Sequence, residues 1–285
     1  MKRNRQTRGF TLIELSIVLV IIGLMVGGVL VGQNLIRAAA VQATITQVNK
    51  FNTAANTFFE KYRYLPGDIP AGPASQFGFA ARGPYVGQGD GDGLIQGNWN
   101  NNYFGGQPYV YEAGETVMFW QDLSQAGLIE ENFSAASSTL PAGTITSGTT
   151  PNIDAFFPQA KLGHGTYIYV TGIAPMYGGG QTLQNYFGIA GITTIGNVEG
   201  CDGCLGTTPV VTVMEAYSID NKLDDGFAQQ GRIIAAWLDP YPAYANAAAS
   251  HSPTTCQNYS DIYSITINNG AGLNCALMFR MQAGD

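Results

Sequence analysis

Residues 8–31 read RGFTLIELSIVLVIIGLMVGGVLV. From Phe10 to Val31 the only ionisable side chain is Glu14. As a helix this stretch spans roughly 33 Å, enough to cross the hydrocarbon core of a bilayer. Lys2, Arg3, Arg5 and Arg8 precede it, and basic flanks stay cytoplasmic, so the rest of the chain should lie outside the cytoplasm. A cleavable secretory signal would have a shorter apolar region and a small-residue cleavage site. A plain membrane anchor accounts for length and orientation but leaves Glu14 unexplained, because a carboxylate in an apolar span is costly without a partner.

The helical pattern continues past the apolar run. Val41, Ile45, Val48, Asn52, Ala55, Phe59 and Tyr62 follow the three-four spacing of one amphipathic stripe. No proline interrupts before Pro66, and Leu65-Pro66-Gly67-Asp68 ends the run. The spacing therefore predicts one helix from Phe10 to Tyr62, roughly 80 Å long. Gly23, Gly27, Gly28 and Gly32 weaken its first half in water but permit close helix packing in a membrane or bundle.

The chain has 285 residues, 45% hydrophobic and only 12% charged, with 37 glycines. A real core is available, a charge-driven disordered chain is excluded, and long turns are expected. The net charge of −7 understates the acidity. Without the four basic residues of the leader, nine basic residues face twenty acidic ones, a net of −11. Such a body is a poor generic binder of nucleic acid or anionic membranes.

Downstream, residues 67–112 read as loop. Glu115–Ala126 reads as a short amphipathic helix with Gly127 beyond it, and residues 134–152 as an exposed loop. Thr208-Pro209 is read as the start of a helix running to Leu223. Strand candidates are Thr166–Thr171, Tyr186–Thr194, Gly231–Leu238, Asp261–Asn268 and Asn274–Met281. The fold class predicted is α+β: a long amino-terminal helix, transmembrane and then amphipathic, packed on an antiparallel β-sheet head.

The stretch Arg8-Gly9-Phe10-Thr11-Leu12-Ile13-Glu14 resembles the class III signal of type IV pilins and type II secretion pseudopilins. A short basic leader, a glycine, an aromatic residue and a glutamate stand at fixed spacing before an apolar run. The resemblance implies a leader at 1–9, a helix at 10–62 whose residues 10–31 span the membrane and later form the filament core, and a head at 63–285. It implies cleavage between Gly9 and Phe10 by a prepilin peptidase and N-methylation of Phe10. It also implies a single pass through a bacterial inner membrane with an extracytoplasmic head, contact with lipid before assembly, and an inner-membrane assembly platform. Glu14 would then pair with the terminal amine of a neighbouring subunit, a buried carboxylate and ammonium each lowering the other's cost. Segments 61–68 (KYRYLPGD), 119–129 (FWQDLSQAGLI) and 219–226 (IDNKLDDG, followed by GRI at 231–233) resemble parts of large pilin-like proteins. The head is larger than in a typical major pilin. The function implied is a filament subunit that is not an enzyme; the alternative is a minor pilin whose head acts as a tip adhesin.

Cys201, Cys204, Cys256 and Cys275 form an even set on the oxidising side of a membrane, where disulfides are the default. Three pairings are possible. The favoured one joins Cys256 to Cys275, stapling the last strands, and Cys201 to Cys204; a four-cysteine zinc site is the rival. Asp90 and Asp92, in Gln88-Gly-Asp-Gly-Asp-Gly93, resemble the opening of a calcium loop, although the closing glutamate position holds Trp99. Asp220, Asp224 and Asp225 form a second candidate calcium set, since carboxylates at that density repel unless a cation or donors compensate. With only His164 and His251, a histidine-based catalytic site is disfavoured. Trp99, Tyr103, Phe104, Tyr109 and Tyr111 could form a surface for sugars or protein partners, with core packing the favoured role.

Overall fold

The computed structural model describes residues 11–85, 87–97, 114–138, 152–175, 181–195, 205–238, 245–247, 256–258 and 260–284. The chain divides into two compact units, Met1–Ala40 and Val41–Asp285, the second called the body below. Helix α1 spans Leu12–Tyr62. In its first part every large apolar side chain from Leu12 to Ile36 is exposed. In its second part Val41, Ile45, Val48, Phe51, Ala54, Ala55 and Phe58 are buried in the core of the body.

The buried stripe differs from the sequence expectation at its far end. Asn52, Phe59 and Tyr62 are only half-buried, while Phe51 and Phe58 are 1% and 0% exposed. Val41, Ile45, Val48 and Ala55 are buried as the spacing expects, and the shift is local: the large apolar rings of Phe51 and Phe58 turn inward in place of Asn52 and Phe59. Phe51 meets Trp120 edge-on at 4.9 Å, and Phe58 meets Phe79 at 5.4 Å. Burying each such ring contributes about 1.5–3 kcal/mol.

The helix stops at Arg63, which takes the left-handed conformation (φ 65) and donates its N–H to Phe59 at 2.8 Å. Gly67 follows at φ 86. A Cβ there would lie 2.5 Å from the Glu115 carbonyl, so only glycine lets this turn lie against helix α3. Within the segment read as loop, a short helix α2 (Ala71–Phe77) forms. Helix α3 spans Glu115–Gln125 and ends through Gly127, as its sequence indicates.

The α+β expectation holds: the long helix is joined to an antiparallel sheet of five strands. Strands β1 (Thr166–Pro175) and β2 (Gln181–Ile195) pair with Thr166 opposite Gly191. Strand β3 (Leu205–Thr208) pairs with the far end of β2. Strand β7 (Leu277–Arg280) pairs with β2, placing Phe187 opposite Phe279, and the two-residue β4 (Ile233–Ile234) closes the edge beside β7. Strands β5 (Ala236–Leu238) and β6 (Ala245–Ala247) form a separate pair. On β2, Gly188 faces Tyr169 across the ladder, and a Cβ would sit 2.1 Å from that ring; the glycine makes room for a fully buried tyrosine.

Three expected elements are corrected. The helix expected from Thr208 is α4, Val213–Leu223. Thr208 ends β3 instead, and Thr212 caps the helix in a reciprocal box with Glu215, which outweighs the pull of Pro209. The strand expected at 231–238 breaks at Ala235, whose N–H turns away to the Ala228 carbonyl at 2.7 Å. The strand expected at 261–268 is irregular: Asp261, Asn268 and Asn269 all have positive φ, and Ile267–Gly270 closes as a short 3-10 turn.

Candidate functional site

Two regions carry candidate chemistry. The first is the start of α1. Thr11 caps the helix: its N–H and hydroxyl both donate to Glu14 Oε2 at 2.8 Å, and the Glu14 N–H donates back to the Thr11 hydroxyl at 3.3 Å. Sequence reading treated Glu14 as a carboxylate awaiting a partner and missed this capping box, whose signal is Thr11-x-x-Glu14 itself. Gly9 and Phe10 lie outside the described residues. Beyond Glu14 the helix is long and apolar enough to cross a membrane.

The family model described as the prokaryotic N-terminal methylation motif matches residues 4–30. The amino terminus is a class III prepilin signal. The match supports a precursor like those of type IV pilins and pseudopilins, and the motif implies prepilin peptidase processing and assembly with other pilin subunits. Together with the apolar helix, the prepilin signal describes a membrane-anchored protein. No curated protein and no solved structure matches the chain.

The second region is the acidic chemistry of the body. Asp68, Asp90 and Glu115 bring carboxylate oxygens within 4.8 Å of one another. Asp68 follows the end of α1, Asp90 sits in the glycine-rich loop, and Glu115 opens α3. Asp68 accepts from the N–H groups of Gly91 and Gly93 at 2.7 and 2.9 Å. Glu115 accepts from those of Gly89 and Gln96 at 2.9 and 2.8 Å. Burial pushes the Asp68 carboxyl up to about 7, the Gly93 and Gly91 donors offsetting part of the rise. Burial and then the charge of Asp68 push Glu115 up as well.

Asp92, which the sequence pairs with Asp90, directs its oxygens to the Leu94 N–H at 2.8 Å and the Gln96 amide at 2.7 Å. Asp90 faces Asp68 and Glu115 instead, two residues that sequence reasoning did not single out. No local pattern announces them, because they come from three separate segments.

Asp220, Asp224 and Asp225 are brought together, with one oxygen of each within 4.8 Å of the others. Asp220 is fully buried at the end of α4; it accepts from the Tyr263 hydroxyl at 2.8 Å and the Gly226 N–H at 3.1 Å. Burial pushes its carboxyl up to about 7 against those two donors. Asp224 accepts from the N–H groups of Arg232 and Ile233, and Asp225 from that of Phe227. Both clusters supply hard oxygen donors of the kind that hold calcium or magnesium.

A different carboxylate is purely structural. Asp122 and Arg82 are both fully buried, with the guanidinium 2.6 Å from each carboxylate oxygen, and Asp122 also accepts from the Gly67 N–H at 2.7 Å. Cys256 and Cys275 form the expected disulfide, their Cα atoms 5.0 Å apart. Cys201, Cys204, His251 and the aromatics Trp99, Tyr103, Phe104, Tyr109 and Tyr111 lie outside the described residues. His164 sits 3.2 Å from Glu215, whose other oxygen closes the cap of α4.

Proposed function

We propose that the chain is a structural subunit of a type IV pilus or a type II secretion pseudopilus. A peptidase cuts between Gly9 and Phe10, Phe10 is N-methylated, and the subunits polymerise through residues 10–31, with the body outside the cytoplasm. The observation that carries this reading is the methylation motif at residues 4–30, set on a helix whose apolar side chains from Leu12 to Ile36 are bare. Lipid covers such a surface before assembly and neighbouring helices cover it afterwards. Glu14 exchanges Thr11 for the terminal amine of a neighbour. The body's two acidic centres are proposed calcium sites: Asp220, Asp224 and Asp225 at one, Asp90 with Asp68 and Glu115 at the other.

The test is quantitative mass spectrometry of sheared surface filaments and of membranes from the native host, including the amino-terminal peptide. Abundant methylated Phe10 peptide in the sheared fraction identifies a principal pilus subunit. The processed peptide confined to membranes indicates a pseudopilin, and trace amounts in filaments indicate a tip subunit with a binding head. A mature protein still carrying residues 1–9 refutes the reading.

A further inference from the structure

Asn132-Phe133-Ser134 and Asn258-Tyr259-Ser260 are the two places where the chain carries Asn-x-Ser/Thr, the triplet on which glycans are attached to asparagine. The structure treats the two in opposite ways. Attachment asks for an asparagine amide nitrogen open to solvent and a hydroxyl free to be read. It also asks for a surface loop that keeps its place when those two side chains are engaged.

The first triplet meets all three conditions. It lies in the loop that follows α3, and burial alternates along it. Asn132 and Ser134 are exposed, while Phe133 between them is buried, its ring centre 6.3 Å from that of Trp120. The two side chains that a transferase reads therefore face solvent together. Among the described residues, neither the Asn132 amide nor the Ser134 hydroxyl has a hydrogen-bond partner. Other groups hold the loop. The Ser124 hydroxyl donates to the Glu131 carbonyl and accepts from the Phe133 N–H, both at 3.0 Å. Glu130 lies 2.9 Å from Lys50 on α1.

The second triplet is spent on its own fold. Asn258 is half-buried, and its Oδ1 accepts from the N–H groups of Ser260 and Ile262 at 2.9 and 3.1 Å. Its main-chain N–H donates to the Ile262 carbonyl at 2.9 Å, two residues past the disulfide-bonded Cys256. A side chain that organises its own turn is a poor acceptor, since engaging it undoes the turn.

We propose that Asn132 is a glycosylation site, receiving an oligosaccharide from a polyprenyl-pyrophosphate carrier through a membrane oligosaccharyltransferase. The Asn132 amide nitrogen bonds to the anomeric carbon of the sugar as the bond from that carbon to the pyrophosphate oxygen breaks. The carrier leaves with the electron pair as polyprenyl pyrophosphate, and the amide gives up one proton. The Ser134 hydroxyl is the second element the transferase recognises. The sugar then projects from the loop while Phe133 stays in the core. The proposal rests on the reading that places the body outside the cytoplasm, where such carriers present their sugars.

The test is mass spectrometry of the full chain purified from the native host, intact and as the peptide that carries Asn132. The expected result is a sugar adduct on Asn132 in the mature protein. Asn132→Gln and Ser134→Ala each abolish it, Ser134→Thr keeps it, and Ser260→Ala, at the other triplet, leaves it unchanged. Asn132, Ser134 and Ser260 are all exposed, so these variants leave the core of the body untouched. A bare Asn132 peptide in protein that has lost residues 1–9 overturns the proposal, and so does an adduct that survives Ser134→Ala. A mature protein still carrying residues 1–9 overturns the assembly reading instead, so the two failures are distinct.

Discussion

Replacing Arg82 with methionine should cost the body more than any surface charge change. The guanidinium and the Asp122 carboxylate are both fully buried and meet at 2.6 Å. Asp122 further fixes the turn after α1 through the Gly67 N–H. Burial already holds the Asp122 carboxyl above its ordinary value, with the attraction and hydrogen bonds of Arg82 pulling it back down. Without Arg82 that restraint is lost and a charge is stranded in the core, at a cost of about 3–5 kcal/mol. For a domain of this size each kcal/mol lowers the melting temperature by about 2–4 °C, so the expected loss is about 6–20 °C. The sign with pH follows. The variant's folded state keeps a proton on Asp122 that the unfolded chain releases above its ordinary carboxylate pKa. The deficit relative to the parent is therefore smallest in acid and grows as pH rises toward neutral. The double variant Arg82→Met/Asp122→Leu removes both charges and should recover much of the loss. The assay is thermal and urea unfolding of the three proteins between pH 4 and pH 8. A single-variant loss below about 1 kcal/mol that does not change with pH would refute the argument.

Other consequences are open to the same instruments. With chelator present, the body should lose stability as pH climbs from about 4 to about 7, because Asp68 and Asp220 hold their protons up to about 7 in the folded state; calcium should flatten that slope, and a melting temperature indifferent to both chelator and calcium argues against the two proposed sites. Replacing both Cys256 and Cys275 with alanine opens a loop with a sequence separation of 19 and should cost about 3 kcal/mol in urea unfolding. Gly188→Val drives a side chain into the Tyr169 ring and should cost about 1–3 kcal/mol or more, whereas pairing it with Tyr169→Ala should relieve part of the loss; additive costs would show that the ring and the glycine are not coupled.

The long helix was legible because two signals agreed over its length: unbroken apolar character, then a 3.6-residue stripe without proline. The disulfide and the Asp220–Asp225 cluster were legible for a local reason, in that their parts lie within a helix end or a short terminal span. Helix α2 was not, since AGPASQF contains Gly72 and Pro73, which weigh against a helix; its Phe77 nonetheless packs on Tyr62, with ring centres 5.1 Å apart. The segment 261–268 carries a strand's side chains on a turn's backbone. Asn258 Oδ1 takes the N–H groups of Ser260 and Ile262, and composition does not register that competition. The grouping of Asp68, Asp90 and Glu115 was invisible because separations of more than twenty residues along the chain say nothing about proximity. Asp92 looked the better partner for Asp90 only because it was near in sequence.

The Thr11–Glu14 box changes how polymerisation should be pictured. In the proposed assembly, a subunit waiting in lipid already has the Thr11 N–H and hydroxyl on one Glu14 oxygen, a stand-in for its future neighbour. On the proposed assembly, joining the filament swaps one set of donors for another instead of rescuing a lone charge. The exchange then decides alignment more than adhesion, and adhesion falls to the apolar flank of the helix. On the same proposal, a subunit that leaves the filament finds the Thr11 donors again for its glutamate.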